Sequence, residues 1–290
     1  MQARINDTEL FYTTHGQGHP VLVMHGGLGL DHTYFRPWLD NIGAQAQLVY
    51  YDHRGNGRST RYASFEGINY QTWASDADAL RAYLGYEKII LFGHSFGGFI
   101  AQEYALRHGD HLDGLILCCT APAIDYADII IANAKKRGTP DQFRAVINGL
   151  SSPIVDDARW RQFWIDILPL YFTEYDPKVG AAMDQRTHYC AGAFSHHFFK
   201  CAPAFNTLSQ LASILVPTLV IAGRNDWVMP TAQGAERLHA GLPNSELVIF
   251  DNSGHFPFIE ENDEFVAILY DWIRRLGPHQ NSAHLLVNEC

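Results

Sequence analysis

Charge is scarce in this sequence: Asp, Glu, Lys and Arg make up 18% of 290 residues, against 47% apolar ones. That balance argues against a disordered or fibrous chain and for a compact domain with a sizeable core. Basic residues are the scarcer kind, 21 Lys and Arg against 31 Asp and Glu, giving a formal net charge of −10. Without a Lys/Arg cluster there is no electrostatic footprint for phosphate backbones or anionic lipid, so neither nucleic acid nor a membrane is expected as a partner. Long apolar runs are lacking too. None approaches the ~20 residues that span a bilayer, and the most apolar, such as 21–24 and 89–92, have the length of buried strands. Residues 2–9 are polar and lack the basic start and apolar core of a secretory signal, so a cytoplasmic location is expected. Cysteine amounts to five residues, Cys118, Cys119, Cys190, Cys201 and Cys290, without the paired short spacings of a zinc site. They read as reduced thiols. H-E-x-x-H, G-x-G-x-x-G and Walker patterns are also missing, so neither metal nor cofactor is expected.

What is present is a regular alternation. Short apolar runs at 21–24, 47–51, 88–92, 115–119, 218–222 and 246–250 read as strands. Residues 70–84, 96–107, 232–240 and 263–276 carry apolar side chains at helical spacing and would cover the sheet. This predicts an α/β fold with a mostly parallel sheet flanked by helices. An alternating stretch at 4–14 around Asn6-Asp7 predicts an antiparallel hairpin at the sheet edge. The alternation stops after Thr120 and resumes near Val216. The predicted organisation is a core domain from 1–120 and 216–277, a helical cap at 121–215 inserted between its parts, and a C-terminal tail at 278–290. The cap holds eleven of the aromatics singled out here, from Phe143 to Phe199. Most of them are expected to form its own core and a minority to line a pocket.

The chemistry centres on Gly93-His94-Ser95-Phe96-Gly97, a G-x-S-x-G sequence between a predicted strand and a predicted helix. A nucleophile in a sharp strand-to-helix turn needs glycines on both sides so that the two elements can approach. Serine is a weak nucleophile near neutral pH and requires a base, which an acid must orient. In sites of this kind the acid and then the base follow the serine at the ends of late strands. Asp226, in Gly223-Arg224-Asn225-Asp226, and His255, in Ser253-Gly254-His255-Phe256-Pro257, hold those places. An aspartate in such a loop can equally be a turn cap. Asp251 lies too close to His255 in sequence, and Asp125 is a more distant candidate. Of the other histidines, His94 reads as a neighbour of the elbow, and His188, His196 and His197 read as cap residues. For the oxyanion, one donor is expected from the N–H of Phe96. The other is expected from Gly27, in His25-Gly26-Gly27-Leu28-Gly29 after the strand at 21–24.

Those motifs, together with Asp52-His53-Arg54-Gly55-Asn56-Gly57-Arg58-Ser59, make the chain resemble the α/β-hydrolase superfamily along nearly its whole length. Within it the chain looks most like the proline iminopeptidase group. The resemblance implies the α/β-hydrolase fold, a cap after the strand ending at Cys119, a Ser95/Asp226/His255 triad, and an oxyanion hole from Gly27 and Phe96. The chain departs from that group in three places: Leu28 stands where proline is usual, Phe96 where the elbow usually has tryptophan, and 184–199 has few carboxylates to meet a substrate amine. The expected activity is therefore hydrolysis of a small, largely apolar ester or lactone through an acyl-enzyme. An aminopeptidase or amidase of the proline iminopeptidase type is the alternative, with Asp184, Glu174 or Asp176 meeting the amine. A ligand-sensing protein that keeps the fold with little turnover is the reading from another class. The sequence specifies no oligomeric state.

Overall fold

A computed structural model describes residues 1–277; the predicted tail at 278–290, with Cys290, lies outside the described residues. Eight strands form one sheet in the order β1-β2-β4-β3-β5-β6-β7-β8. β1 (Gln2–Ile5) and β2 (Thr8–His15) form the expected hairpin, and Asn6 at its turn has a φ of 46°. β2 then pairs antiparallel with β4 (Ala46–Tyr51). All later pairings are parallel: β3 (His19–Met24), β5 (Ile89–His94), β6 (Leu112–Cys118), β7 (Thr218–Gly223) and β8 (Ser245–Phe250). Strands β3, β5 and β7 are buried at every position, which is why they read as unbroken apolar runs.

Helices α1 (Tyr70–Tyr83) and α2 (Phe96–His108) cover the sheet, and α2 packs on α1 through Phe96, Phe99, Trp73 and Tyr70. α1 begins where Asn69 accepts the N–H groups of Gln71 and Thr72, a capping box closed by the Thr72 hydroxyl. Between β6 and β7 the described chain pairs as strand only at an isolated bridge, Ala123 with Asn206. The rest is α3 (Ala127–Arg137), α4 (Pro140–Ser151), α5 (Asp157–Ile167), α6 (Pro177–Arg186), α7 (Ala191–His196) and short turns. One of these, His197–Cys201, is a turn of π-helix. The chain closes with α8 (Ala235–Gly241), α9 (Pro257–Glu260) and α10 (Asn262–Arg275).

Two sequence expectations need correcting. Strand β6 ends one residue early because Cys119 turns to a φ of 48° and leaves the strand direction. Among the eleven cap aromatics, six rather than a minority line the cavity described below: Trp160, Phe163, Trp164, Tyr171, Phe194 and Phe198. Trp160, Phe163, Trp164 and Phe194 are also buried in the hydrophobic core, so the same rings pack the helices between β6 and β7 and form cavity wall. Trp160 stacks on Phe194 at 4.0 Å in this way while donating its indole N–H to the Gly29 carbonyl.

Candidate active site

The loops that follow β3, β5, β7 and β8 meet at the carboxyl end of the sheet, the edge where open α/β sheets place their ligands. Strand β5 delivers Ser95, whose φ of 54° and ψ of −120° put it outside the regions ordinary residues favour. Its N–H is fixed by the Cys118 carbonyl at 2.9 Å, and its own carbonyl accepts from the Gly98 N–H and the Thr120 hydroxyl. The turn closes only because Gly97 lacks a Cβ, which would stand 2.2 Å from the Met24 carbonyl oxygen.

Asp226 and His255 come together behind Ser95. Asp226 Oδ2 accepts from His255 Nδ1 at 2.6 Å, and both residues are buried. Its other oxygen accepts the N–H groups of Val228 and Met229, so the aspartate is a turn cap and the histidine's partner at once. Because Nδ1–H is committed to the carboxylate, Nε2 is left for the cavity side. No hydrogen bond joins His255 to the Ser95 hydroxyl among the described residues; such contacts commonly tighten only around substrate. The rival carboxylates lie elsewhere. Asp251 is exposed and paired with Arg224, and Asp125 is paired with Arg237.

Gly27 and Phe96 present the expected donors: among the described residues, neither N–H has an acceptor. Gly27 takes a φ of 52°. The loop around it is held from behind, because the Gly26 N–H donates to the Tyr34 hydroxyl at 2.6 Å and the His25 ring bonds the Gly26 carbonyl at 2.9 Å. The Tyr34 hydroxyl also meets His94 Nδ1 at 2.8 Å, while His94 Nε2 meets the His255 carbonyl at 2.9 Å. A carbonyl can only accept, so His94 Nε2 carries the proton and Nδ1 accepts from Tyr34. Burial, reinforced by His255 nearby, pushes the His94 pKa well below its ordinary value and keeps the ring neutral. His94, which the sequence places only as a neighbour of the elbow, thus links the Gly26-Gly27 loop to the His255 loop. Tyr34 had no signal in the sequence; it lies in a short turn that carries no motif.

The Asp52–Ser59 motif builds the wall of the same loops. Asp52 is fully buried and accepts from His32 through both backbone and ring, and from the Arg58 N–H. Arg54 forks onto Asp76 at 2.7 and 2.8 Å. Among the described residues, two groups of three potential metal ligands each have their ligand atoms within 4.8 Å: His94, Cys119 and His255, and separately Asp78, His108 and His111. In the first, both His94 nitrogens and His255 Nδ1 are already bonded as described; in the second, Arg81 and Tyr104 also bind Asp78.

Ser95 borders a cavity of about 360 Å³ whose lining includes six aromatics of the segment between β6 and β7 together with Leu28, Phe96, Met229 and Phe256. Its lining holds no Asp, Glu, Lys or Arg among the described residues. Asp184 is turned away, forked onto Arg161 and bonded by the Tyr189 hydroxyl. Glu174 and Asp176 are exposed and do not line the cavity either.

Residues 19–262 match the family model described as alpha/beta hydrolase fold. The chain is 27% identical over 271 residues to the proline iminopeptidase PfmaB of Pestalotiopsis fici, covering 89% of this chain and 94% of that protein. It is 30% identical over 260 residues to the non-heme chloroperoxidase CPO-A1 of Kitasatospora aureofaciens, covering 85% of this chain and 88% of the relative. Among solved structures, the enol-lactonase from Burkholderia xenovorans LB400 superposes with a TM-score of 0.76 at 24% identity, over 94% of this chain and 100% of the other.

Proposed function

The chain belongs to the α/β-hydrolase family, and on that footing we propose that it is a serine esterase or lactonase for small, neutral, largely apolar substrates, with Ser95, His255 and Asp226 as its triad. Ser95 Oγ attacks the ester carbonyl and passes its proton to His255 Nε2. Asp226 holds the imidazole by Nδ1 and stabilises the imidazolium. The developing oxyanion takes the unclaimed N–H groups of Gly27 and Phe96, donors fixed before the reaction begins. His255 returns the proton to the departing alkoxide, or to the ring oxygen of a lactone. Water activated by the same histidine then releases the acid and restores Ser95.

The observation that carries this reading is the cavity, whose size lies at the lower end of the roughly 300–1,000 Å³ of small-molecule sites. A substrate amine or carboxylate would enter a lining without a countercharge and lose its hydration there. The iminopeptidase alternative needs a carboxylate for the amine, and Asp184 is already committed to Arg161. p-Nitrophenyl acetate, butyrate and hexanoate, a γ-lactone and proline p-nitroanilide, assayed side by side with Ser95→Ala, test the proposal. We expect the longer acyl chains to be preferred, a fluorophosphonate to label Ser95, and Ser95→Ala to be inactive. A dominant rate on the anilide would replace this reading with the aminopeptidase one, and an unlabelled, inactive wild type would leave the ligand-sensing alternative.

A further inference from the structure

Among the described residues, three histidines line the cavity. Both nitrogens of His94 are bonded within the protein, and His255 is divided between Asp226 and the space beside Ser95. The third, His197, begins the turn of π-helix His197–Cys201, a rare geometry often found at functional sites. Its ring packs edge-on against Phe96 at 4.5 Å, beside the nucleophile's neighbour, and stacks on Phe99 at 6.2 Å. Its Nε2 lies 2.8 Å from the Tyr70 hydroxyl.

The Tyr70 hydroxyl has no other protein partner among the described residues; where it donates its proton to Nε2, the neutral ring carries its own proton on Nδ1. Burial holds His197 at a pKa of about 3, so the ring is neutral at working pH. Nδ1–H has no protein acceptor among the described residues, yet it is not among the side-chain atoms sealed from contact without a partner. His197 is one of the residues that border the cavity.

We propose that His197 Nδ1–H is a recognition site for a second oxygen of the substrate, making the enzyme selective for apolar esters or lactones that carry a keto, ether or ring oxygen beyond the scissile carbonyl. This rests on the ester-hydrolase reading above. A neutral imidazole in a lining without Lys or Arg suits a neutral acceptor rather than a carboxylate. A substrate lacking that oxygen leaves the buried N–H unpaired, and this penalty is the source of discrimination.

Matched pairs that differ by one oxygen test it: p-nitrophenyl pentanoate against 4-oxopentanoate, p-nitrophenyl hexanoate against 5-oxohexanoate, and hexyl butyrate against 2-butoxyethyl butyrate in a pH-stat. The readout is the kcat/KM ratio within each pair, divided by the same ratio in alkaline hydrolysis, so a general loss of rate does not mimic it. Wild type should prefer the oxygenated member of at least one pair by roughly five- to tenfold, the scale of one neutral hydrogen bond. His197→Asn, whose amide N–H falls near the position of Nδ1, should keep that preference. The double variant His197→Phe/Tyr70→Phe removes both partners, leaves no orphaned hydroxyl, and should bring the ratio to about one. Should the double variant not fold, Tyr70→Phe, which frees the tautomer, must by itself lower the ratio. A wild type indifferent to every pair, or a preference that survives in His197→Phe/Tyr70→Phe or, where that does not fold, in Tyr70→Phe, overturns the proposal while leaving the hydrolase intact. Failure to hydrolyse any of these esters, with no fluorophosphonate label on Ser95, overturns the hydrolase reading itself.

Discussion

Ser95 sits at a backbone angle that costs free energy, and its neighbours supply the hydrogen bonds that hold it there. The proposed acid is separated from its rivals by its partners. Asp226→Asn preserves the volume and the turn-capping oxygen but replaces the acceptor facing His255 Nδ1, so kcat should fall about 10³- to 10⁴-fold with the far-ultraviolet dichroism unchanged. Asp251→Asn, at an exposed pair with Arg224, should leave kcat within about twofold of wild type, since surface pairs contribute little. An inverted result from these two variants would move the acid to Asp251. His94 deserves its own variant because its two bonds reach opposite sides of the site. His94→Leu should lower kcat more than it raises KM, because it loosens the Gly26-Gly27 loop and the His255 loop together.

At the scale of elements, the loop after β8 is braced from two directions. The His255 N–H donates to the Tyr171 carbonyl, and Glu260, at the end of α9, accepts from Gly254 beside His255 and from Thr173 and Glu174 in the segment between α5 and α6. Burial raises the Glu260 pKa, and those three N–H groups oppose the shift. Glu260→Gln, which exchanges an acceptor for a donor facing backbone N–H groups, should lower kcat roughly tenfold or more and lower the thermal midpoint by several degrees. Equal kcat in the two proteins would show that this brace is unrelated to the alignment of His255.

The core elements were legible because a parallel sheet buried on both faces writes itself as apolar runs, and because the elbow needs glycine at fixed positions. The predicted ends of β4, β7 and β8 fall within one residue of those observed. The residues of the proposed site, Ser95, Asp226, His255, Gly27 and Phe96, could be singled out because each stands shortly beyond a strand. Tyr34, Glu260 and the lining role of His197 could not. Their importance arises from contacts across 60, 87 and 127 residues of sequence, with His94, Thr173 and Tyr70, and no local spacing encodes such meetings.

For the molecule as a whole, acid should be the weak side. Burial alone would raise the pKa of Asp52, but the hydrogen bond and charge of His32, with help from His25 and the Arg58 N–H, hold it at about 2. A carboxylate depressed in the folded state adds stability that is complete above its unfolded value of 3.8 and is lost as pH falls toward 2. The contribution is on the order of 2 kcal/mol. Urea midpoints measured from pH 6 to pH 2 should fall steeply below pH 4 in wild type and less steeply in Asp52→Asn, which begins from a lower plateau. Parallel curves would remove Asp52 from the account. No described helix is long and apolar enough to cross a membrane. Both candidate ligand clusters are already engaged by protein partners, so dialysis against EDTA should leave esterase rate and thermal midpoint unchanged.

The brace between Tyr171 and His255 also divides the cavity wall into two kinds of territory for anyone reshaping it, or for selection doing so. Val146 and Leu150 of α4 line the cavity, and among the described residues no hydrogen bond joins either to the loop that carries His255, so substitutions there should change which acyl groups fit with turnover chemistry intact. Tyr171 lines the same space but carries the carbonyl that positions His255, so enlarging the pocket from that side disturbs the base as well. New substrate ranges should therefore arise first through α4, and variants at 171–174 should survive mainly alongside compensating changes near Glu260.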